Sequence, residues 1–95
     1  MHVAQHVHEG TLILTIIDSS LVDTIHEEGK KQLDFKSKYY HGSEEDAQSI
    51  SLLLKKAAVI HAAGEETMAL LEKEGFPVEE ALFIARIPFA QFIRE

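Results

Sequence analysis

Histidine is the residue type of this chain with the widest chemistry, because an imidazole can bind a metal and can exchange a proton near neutral pH. Six of the 95 residues are histidines, and His2, His6 and His8 have the even spacing that places side chains on one face of a strand. Imidazoles two residues apart in a strand lie about 7 Å from each other, and strand twist separates them further. Because a closed zinc site would need another ligand from elsewhere, we interpret the three as an exposed polar face and expect no metal and no cofactor.

A second place that could bind a ligand is the end of the apolar run at residues 57–63, where Gly64 leads into a helical pattern. Helix N-termini attract phosphate groups through free N–H donors and a partial positive charge. Here Glu65 and Glu66 occupy the first turn and would repel a phosphate, and the glycine motifs of nucleotide-binding loops are absent. We therefore favour a packed turn over a phosphate site. We interpret His61 as a hydrogen-bonded structural group, with contact to a ligand as the alternative.

The segment Lys30–His41 interleaves positive charge with aromatic rings. It holds four lysines and one acid, Asp34, which gives a local charge of +3. Phe35, Tyr39 and Tyr40 could stack on bases while the lysines meet phosphates, as in a single-stranded RNA contact. The alternative is an exposed strand whose rings anchor in the core and whose lysines discourage aggregation. The candidate RNA-binding residues are Lys30, Lys31, Lys36, Lys38 and Tyr39.

No catalytic signature is complete in this chain. Ser19 and Ser20 have no nucleophile-elbow sequence around them, and the run His26-Glu27-Glu28 lacks the second histidine of a zinc-protease helix. The absence of cysteine removes thiolate catalysis and disulfides. We assign no catalytic residue, and an enzyme is the less favoured class.

The length and charge of the chain limit the classes of function that remain. Ninety-five residues fit one domain, 1–95, and the formal net charge of −7 argues against a general binder of polyanions. The longest strongly apolar run, Leu12–Ile17, is far shorter than the ~20 residues that span a bilayer, and the N-terminus lacks a signal-peptide pattern. We expect a soluble, cytoplasmic protein with no membrane partner.

Apolar spacing and chain breakers predict a small α+β domain with α/β-like organisation. The predicted strands cover residues 2–8, 11–17, 31–36, 58–62 and 82–87. The predicted helices cover residues 19–28, a stretch that begins at Ser43 and continues to about Ala57, and residues 65–74. The expectation is a mixed sheet of about four to five strands with about three helices.

Two units organise the predicted sheet. The first is an N-terminal hairpin that turns at Glu9 and Gly10, and its second strand is apolar on both faces and therefore interior. The second is a strand–helix–strand crossover built from the last two predicted strands, which predicts parallel neighbours. Pro88 is expected to end the pairing of the last strand or to mark an edge, and Phe89–Ile93 is expected to pack on the domain or on a second copy.

Three short motifs carry a family resemblance, and they are Tyr40-His41-Gly42, His61-Ala62-Ala63-Gly64-Glu65 and Ile87-Pro88-Phe89-Ala90-Gln91. Through them the chain resembles the archaeal domain-of-unknown-function family 424 over nearly its whole length. The resemblance implies an N-terminal hairpin, a tyrosine–glycine turn before a helix, a glycine strand–helix junction and a late proline segment. His41, His61 and Phe89 stand where the family usually has glycine, asparagine and histidine. The candidate ligand-binding residues in these motifs are Tyr40, His41, His61, Gly64, Pro88, Phe89 and Gln91.

Three classes of function remain open. The first is a small non-enzymatic binding domain that contacts RNA or a ribosome-associated protein through Lys30–His41, a link to translation that the archaeal setting of the family implies. The second is a small-molecule- or metal-binding protein, or a minor enzyme, with its site around His61, Gly64 and Pro88–Gln91. The third is a homodimeric interaction module that uses an exposed strand or the late apolar segment.

Overall fold

The computed structural model describes residues 1–94. The strands in this range are β1 His2–His8, β2 Thr11–Ile17, β3 Ile25–Glu28, β4 Lys31–Asp34, β5 Ser43–Glu44, β6 Val59–Ala63, β7 Leu82–Ile84 and β8 Ile87–Ile93. The α-helices are α1 Ala47–Leu54 and α2 Glu65–Lys73, and short 3₁₀ turns form at Ser19–Leu21, Lys38–Tyr40 and Val78–Glu80. Neither α-helix of this part of the chain is long and apolar enough to cross a bilayer.

Six strands form a mixed sheet in the order β5-β1-β2-β6-β8-β7, and β3 and β4 pair in a separate two-stranded sheet. The predicted N-terminal hairpin is confirmed, because β1 and β2 are antiparallel and turn at Glu9 and Gly10, whose φ angles are 52° and 79°. The mixed α+β architecture is also confirmed. The counts differ from the prediction, since the main sheet has six strands and the described residues contain two α-helices.

One face of the main sheet packs against both helices. Leu14 and Ile16 of β2 and Ile60 of β6 lie in the middle of this core with no exposed surface. Ile50 of α1 and Leu71 of α2 cover them and are equally buried. Burial of an aliphatic side chain of this size stabilises a fold by roughly 1.5–3 kcal/mol, so this layer accounts for much of the stability.

The opposite face of the main sheet packs against the two-stranded sheet and its flanking turns. Ile17 of β2 and Ala63 of β6 form a second core cluster here with Leu21 and Phe35. Phe35 follows β4 directly and is 1% exposed. Both faces of β2 are therefore covered, as its uniformly apolar sequence predicted.

Residues 19–28 do not form the predicted helix. The 3₁₀ turn at Ser19–Leu21 is followed by Asp23, whose φ of 61° lies in the left-handed region that an α-helix cannot pass through. The chain then extends into β3, which pairs antiparallel with β4. The predicted strand at 31–36 is found as β4, and it supplies the partner that makes β3 extended rather than helical.

The predicted parallel crossover at the C-terminal end is wrong. Residues 82–87 are not one strand, because Ala85 and Arg86 have φ angles of 50° and 68° and reverse the chain between β7 and β8. β8 then runs antiparallel to both β6 and β7. Neither turn residue is of the Asn, Asp or Gly types that mark such hairpins, so the sequence carries no local signal for the reversal. Among the described strands, β2 and β6 are the parallel pair.

Pro88 does not end strand pairing, contrary to the prediction, and lies inside β8 between β6 and β7. Its carbonyl accepts a hydrogen bond of 2.9 Å from the N–H of Gly64. An ordinary residue here would return a hydrogen bond to the carbonyl of Gly64. That carbonyl instead accepts from the N–H of Met68 at 3.0 Å, at the start of α2. Proline is tolerated because the acceptor that its missing N–H would face is engaged by the helix.

Helix α1 begins later than predicted. Asp46 is its N-cap, and Oδ1 of Asp46 accepts a hydrogen bond of 2.8 Å from the N–H of Ser49. Hydrogen bonds from Ser49 hold the pKa of the Asp46 carboxyl below its ordinary value. Ser43, where the predicted helix begins, lies in β5 and pairs with the N-terminal end of β1. Serine and aspartate both cap helices well, so the sequence allows a helix to begin at Ser43 or at Asp46. Because β5 pairs with β1, Ser43 is in a strand and the helix is capped by Asp46.

The C-terminal segment Phe89–Ile93 belongs to β8 and packs on the domain. Phe92 is buried in the core between sheet and helices, and Phe89 contacts the cluster on the opposite face. Ile93 is 69% exposed. The expected packing is therefore seen within one chain for the two aromatic residues.

Candidate functional site

The end of β2 meets the start of α2 through one carboxylate. Asp18 follows β2 directly and is 9% exposed. Its Oδ1 accepts hydrogen bonds from the backbone N–H and the hydroxyl of Thr67, both at 2.8 Å, and its Oδ2 accepts from the N–H of Glu66 at 3.1 Å. Because these N–H groups are the free donors of a helix N-terminus, Asp18 caps α2 from a distant part of the chain.

Gly64 makes room for this carboxylate. Its φ is 107°, and a Cβ at this position would lie 2.2 Å from Cγ of Asp18. The backbone conformation and the close approach both require glycine. The position that a phosphate would take at this helix start is filled by Asp18, which agrees with a packed turn and adds a cap of α2 that the sequence analysis did not assign.

A cavity of about 430 Å³ lies between the main sheet and the two-stranded sheet. Four of the seven candidate ligand-binding residues line it, namely Tyr40, His61, Phe89 and Gln91. His61 of β6 and Gln91 of β8 are cross-strand partners, so their side chains leave the sheet on the same face. The remaining wall is mostly apolar, with Glu80 as its acidic residue.

His61 has a depressed pKa at this cavity. Partial burial lowers the pKa of its imidazole below the ordinary value of 6.5, and the charge of His6 lowers it further. The imidazole is therefore neutral at pH 7, with one N–H donor and one nitrogen acceptor. Such a group can orient a polar ligand without adding a positive charge to the cavity.

Tyr39 links His61 to His6 across three elements. The Tyr39 ring stacks on the His6 ring with centroids 4.3 Å apart and planes 3° apart, and its centroid lies 5.7 Å from that of His61. Nε2 of His6 lies 2.8 Å from the carbonyl oxygen of Tyr39 and donates a hydrogen bond to it. These contacts fix the 3₁₀ turn Lys38–Tyr40 against β1 and thereby place Tyr40 at the cavity.

Tyr40 forms the aromatic part of the wall together with Phe35. The two rings meet edge to face with centroids 5.2 Å apart. Burial raises the pKa of the Tyr40 hydroxyl above 10.0, and the charges of Tyr39 and Asp34 add to the effect. The hydroxyl is thus protonated at neutral pH and available as a hydrogen-bond donor.

Three of the candidate ligand-binding residues lie outside the cavity wall. His41 is exposed, and its Nε2 lies 3.8 Å from Oδ1 of Asp23. Gly64 and Pro88 are joined by the backbone hydrogen bond described above and support the junction between β6, β8 and α2. Their contribution to the cavity is to position the strands that carry its polar side chains.

The lysines of the segment Lys30–His41 are all exposed, on β4 and in the turns that flank it. Within residues 1–94, none of them forms an ion pair. The rings of the segment are engaged with the protein, because Phe35 is buried and Tyr39 stacks on His6. The segment presents positive charge to solvent, while its rings pack inward.

The three N-terminal histidines do not converge on a common point. Nδ1 of His2 lies 3.4 Å from Oε1 of Glu44, and Nε2 of His2 accepts a hydrogen bond from the N–H of Gly42. His6 bonds the neighbouring 3₁₀ turn, and His8 is exposed. In the described part of the chain, no group of three or more His, Cys, Asp or Glu side chains is placed to hold a metal ion.

The wall also contains residues that were not candidates for ligand binding, and three of these, Leu33, Glu80 and Leu82, come from outside strands β2, β6 and β8. Leu33 comes from the two-stranded sheet, Glu80 from a 3₁₀ turn and Leu82 from the edge strand β7. No motif connects them, since only tertiary packing brings these elements together. Aspartate is a good helix-capping residue, but no local pattern links Asp18 to α2, which begins far along the chain.

The fold has a counterpart among solved structures. No protein-family model matches the chain, and no curated protein matches it. The crystal structure of an uncharacterized conserved protein from Methanopyrus kandleri matches with a TM-score of 0.79 and 19% sequence identity, over 98% of this chain and 92% of that chain. The chain is therefore similar in fold to an uncharacterised archaeal protein.

Proposed function

We propose that this protein binds a small molecule in the cavity between the main sheet and the two-stranded sheet. The observation that carries the proposal is the convergence of Tyr40, His61, Phe89 and Gln91 on one cavity of about 430 Å³. Ligand sites typically measure about 300–1,000 Å³ and combine a mostly apolar wall with a few polar groups. The cavity meets both criteria, and its polar groups come from β6, β8 and two 3₁₀ turns.

A pair of neighbouring substitutions tests the proposal. Leu82 lines the cavity and is 66% exposed, whereas Phe83 is the next residue of β7, is 61% exposed and is not part of the wall. L82W should fill the mouth of the cavity, and F83W places the same tryptophan side chain at the neighbouring exposed position outside it. Neither variant should unfold the domain, because both side chains are exposed.

The measurement is a small-molecule library screened by NMR against the three proteins. We expect compounds that shift the amide resonances of His61 and Gln91 in the wild type, with affinity about tenfold or more weaker in L82W and unchanged in F83W. A library without any compound that shifts these resonances, or equal weakening in both variants, would contradict the proposal.

The second candidate is a contact with single-stranded RNA through Lys30, Lys31, Lys36, Lys38 and Tyr39. It is favoured by one observation, the exposure of four lysines that form no ion pair within residues 1–94. The overall charge of −7 works against it, so binding should be local and should weaken with salt along a shallow slope, since at most about four phosphates are neutralised.

Two variants with the same change in charge distinguish a local RNA contact at Lys30–His41 from an effect of the protein's overall charge. K36E/K38E reverses two charges inside the segment, and K55E/K56E reverses two exposed lysines at the end of α1. Binding of single-stranded RNA at low salt should be lost in the first variant and retained in the second. Equal affinity of both variants, or no binding by the wild type, would rule out this contact.

We also propose that the chain belongs to the archaeal family 424 that its motifs resemble. The likeness in fold to an uncharacterised archaeal protein supports this assignment. A member of that family with a different strand order in its crystal structure would exclude it.

A further inference from the structure

The charged residue that lines the cavity is acidic. Among the described residues, Glu80 is the acidic residue of the wall, and no lysine or arginine lines it. The protein as a whole carries a formal charge of −7, so its long-range field adds to this local charge. An anionic ligand would enter a negative potential without meeting a fixed positive charge.

The imidazole of His61 adds no positive charge to the cavity wall at pH 7. His61 would be the natural partner of a carboxylate or phosphate if it were protonated, but burial keeps its pKa below 6.5. Gln91 and the Tyr40 hydroxyl are neutral hydrogen-bonding groups. The polar part of the wall thus offers acceptors and neutral donors, and Glu80 is its charged group.

The aromatic part of the wall favours a flat, positively charged ligand. Tyr40 and Phe89 both line the cavity, Tyr40 from the 3₁₀ turn Lys38–Tyr40 and Phe89 from β8. A ring system can stack on such faces, and an ammonium group is attracted to them by the cation–π interaction. The same groups give no comparable attraction to an anion.

We infer that the ligand is an aromatic amine, bound as a cation with its ring against Tyr40 and Phe89 and its ammonium group near Glu80. The inference rests on the proposed function, since it names the ligand class of the same cavity. The three features that carry it are the acidic residue in the wall, the lack of a basic residue there, and the two aromatic residues.

Tryptamine, indole and indole-3-acetate test the inference, because they share one ring and differ in charge. In NMR titrations of the wild type at pH 7, tryptamine should bind about three- to tenfold more tightly than indole, and indole-3-acetate should bind least tightly. The shifted resonances should include those of His61 and Gln91. E80Q should remove the preference for tryptamine over indole, whereas E79Q, a neighbouring exposed glutamate outside the wall, should retain it.

Equal affinities for the three probes, tighter binding of indole-3-acetate, or the same loss in E79Q would overturn the inference. Those outcomes leave the proposed function intact when the cavity resonances still shift. If none of the probes shifts them, the aromatic-amine assignment is overturned, and the library screen with L82W and F83W decides the proposed function separately.

Discussion

Asp18 and Thr67 are separated by 49 positions in the chain, yet one carboxylate oxygen of Asp18 accepts hydrogen bonds from both the N–H and the hydroxyl of Thr67. This pair joins the end of the central strand β2 to the start of α2. It fixes β6 as well, because the N–H of Asp18 donates to the carbonyl of Ala63 at 3.1 Å. The junction therefore sets the position of the strand that carries His61 to the cavity.

The first prediction concerns this junction. D18N keeps one acceptor oxygen but places an amide NH₂ against the N–H of Glu66 and removes the negative charge from the helix N-terminus. We expect the free energy of unfolding to fall by about 1–3 kcal/mol in urea denaturation. D46N is the matched control at the exposed N-cap of α1, where asparagine caps as well as aspartate and the change should stay below about 0.5 kcal/mol. Equal losses in both variants would contradict the role given to Asp18.

The second prediction concerns the glycine beside that carboxylate. G64A places a Cβ 2.2 Å from Cγ of Asp18 and forces alanine to a φ of 107°. We expect a loss of about 2–4 kcal/mol, measured in the same denaturation experiment. Gly75 is the control, because its φ is 94° and a Cβ there meets no atom within 4 Å, so G75A carries backbone strain alone. A loss in G64A no larger than in G75A would show that Asp18 can move aside.

The third prediction is a pH dependence. Folding lowers the pKa of His61 below its unfolded value of about 6.5, so the folded state favours the neutral imidazole. This contribution to stability is fully present above pH 6.5 and is lost as the pH falls through the lowered pKa of the folded protein. NMR titration of the imidazole should give a midpoint below 6.5.

His6 provides the internal test of that shift. H6Q removes the charge of His6, which is the second cause of the lowered His61 pKa, while glutamine can still donate a hydrogen bond to the carbonyl of Tyr39. The titration midpoint of His61 should therefore rise, but burial should keep it below 6.5. H8Q changes the exposed histidine of the same strand and should leave the midpoint unchanged. A wild-type midpoint at or above 6.5 would contradict the burial of His61.

The fourth prediction concerns the ring that fixes the two-stranded sheet to the main sheet. F35A empties a fully buried position and should cost about 3–5 kcal/mol of unfolding free energy. F83A removes the same ring from an exposed position and should change the unfolding free energy by no more than about 0.5 kcal/mol. If the two variants melt at the same temperature, Phe35 does not anchor the two-stranded sheet.

Several elements could be predicted from the sequence because their signals are local. The hairpin β1–β2 follows from two β-rich runs around Glu9 and Gly10, and the two-sided burial of β2 follows from its uniform apolarity. Helix α2 follows from helical spacing between two glycines, Gly64 and Gly75. Each of these signals lies within a few residues of the element that it predicts.

The errors arose where the deciding partner is distant in sequence. Residues 19–28 became a turn and a strand because β4 pairs with β3, and Pro88 entered β8 because α2 engages the carbonyl that it would face. The turn at Ala85 and Arg86 has no residue type that marks it. A local pattern cannot report a hydrogen-bond partner that only folding supplies.

For the candidate site, the sequence by itself determined the chemistry of four wall residues, Tyr40, His61, Phe89 and Gln91, because their motifs stood out. Only the tertiary structure decided that these four share a cavity, and that Glu80 lines it with them. The physical reason is that the cavity lies between two separate sheets. Its shape and charge depend on how Phe35 packs the two-stranded sheet against the main sheet. This packing joins residues that are far apart in the chain.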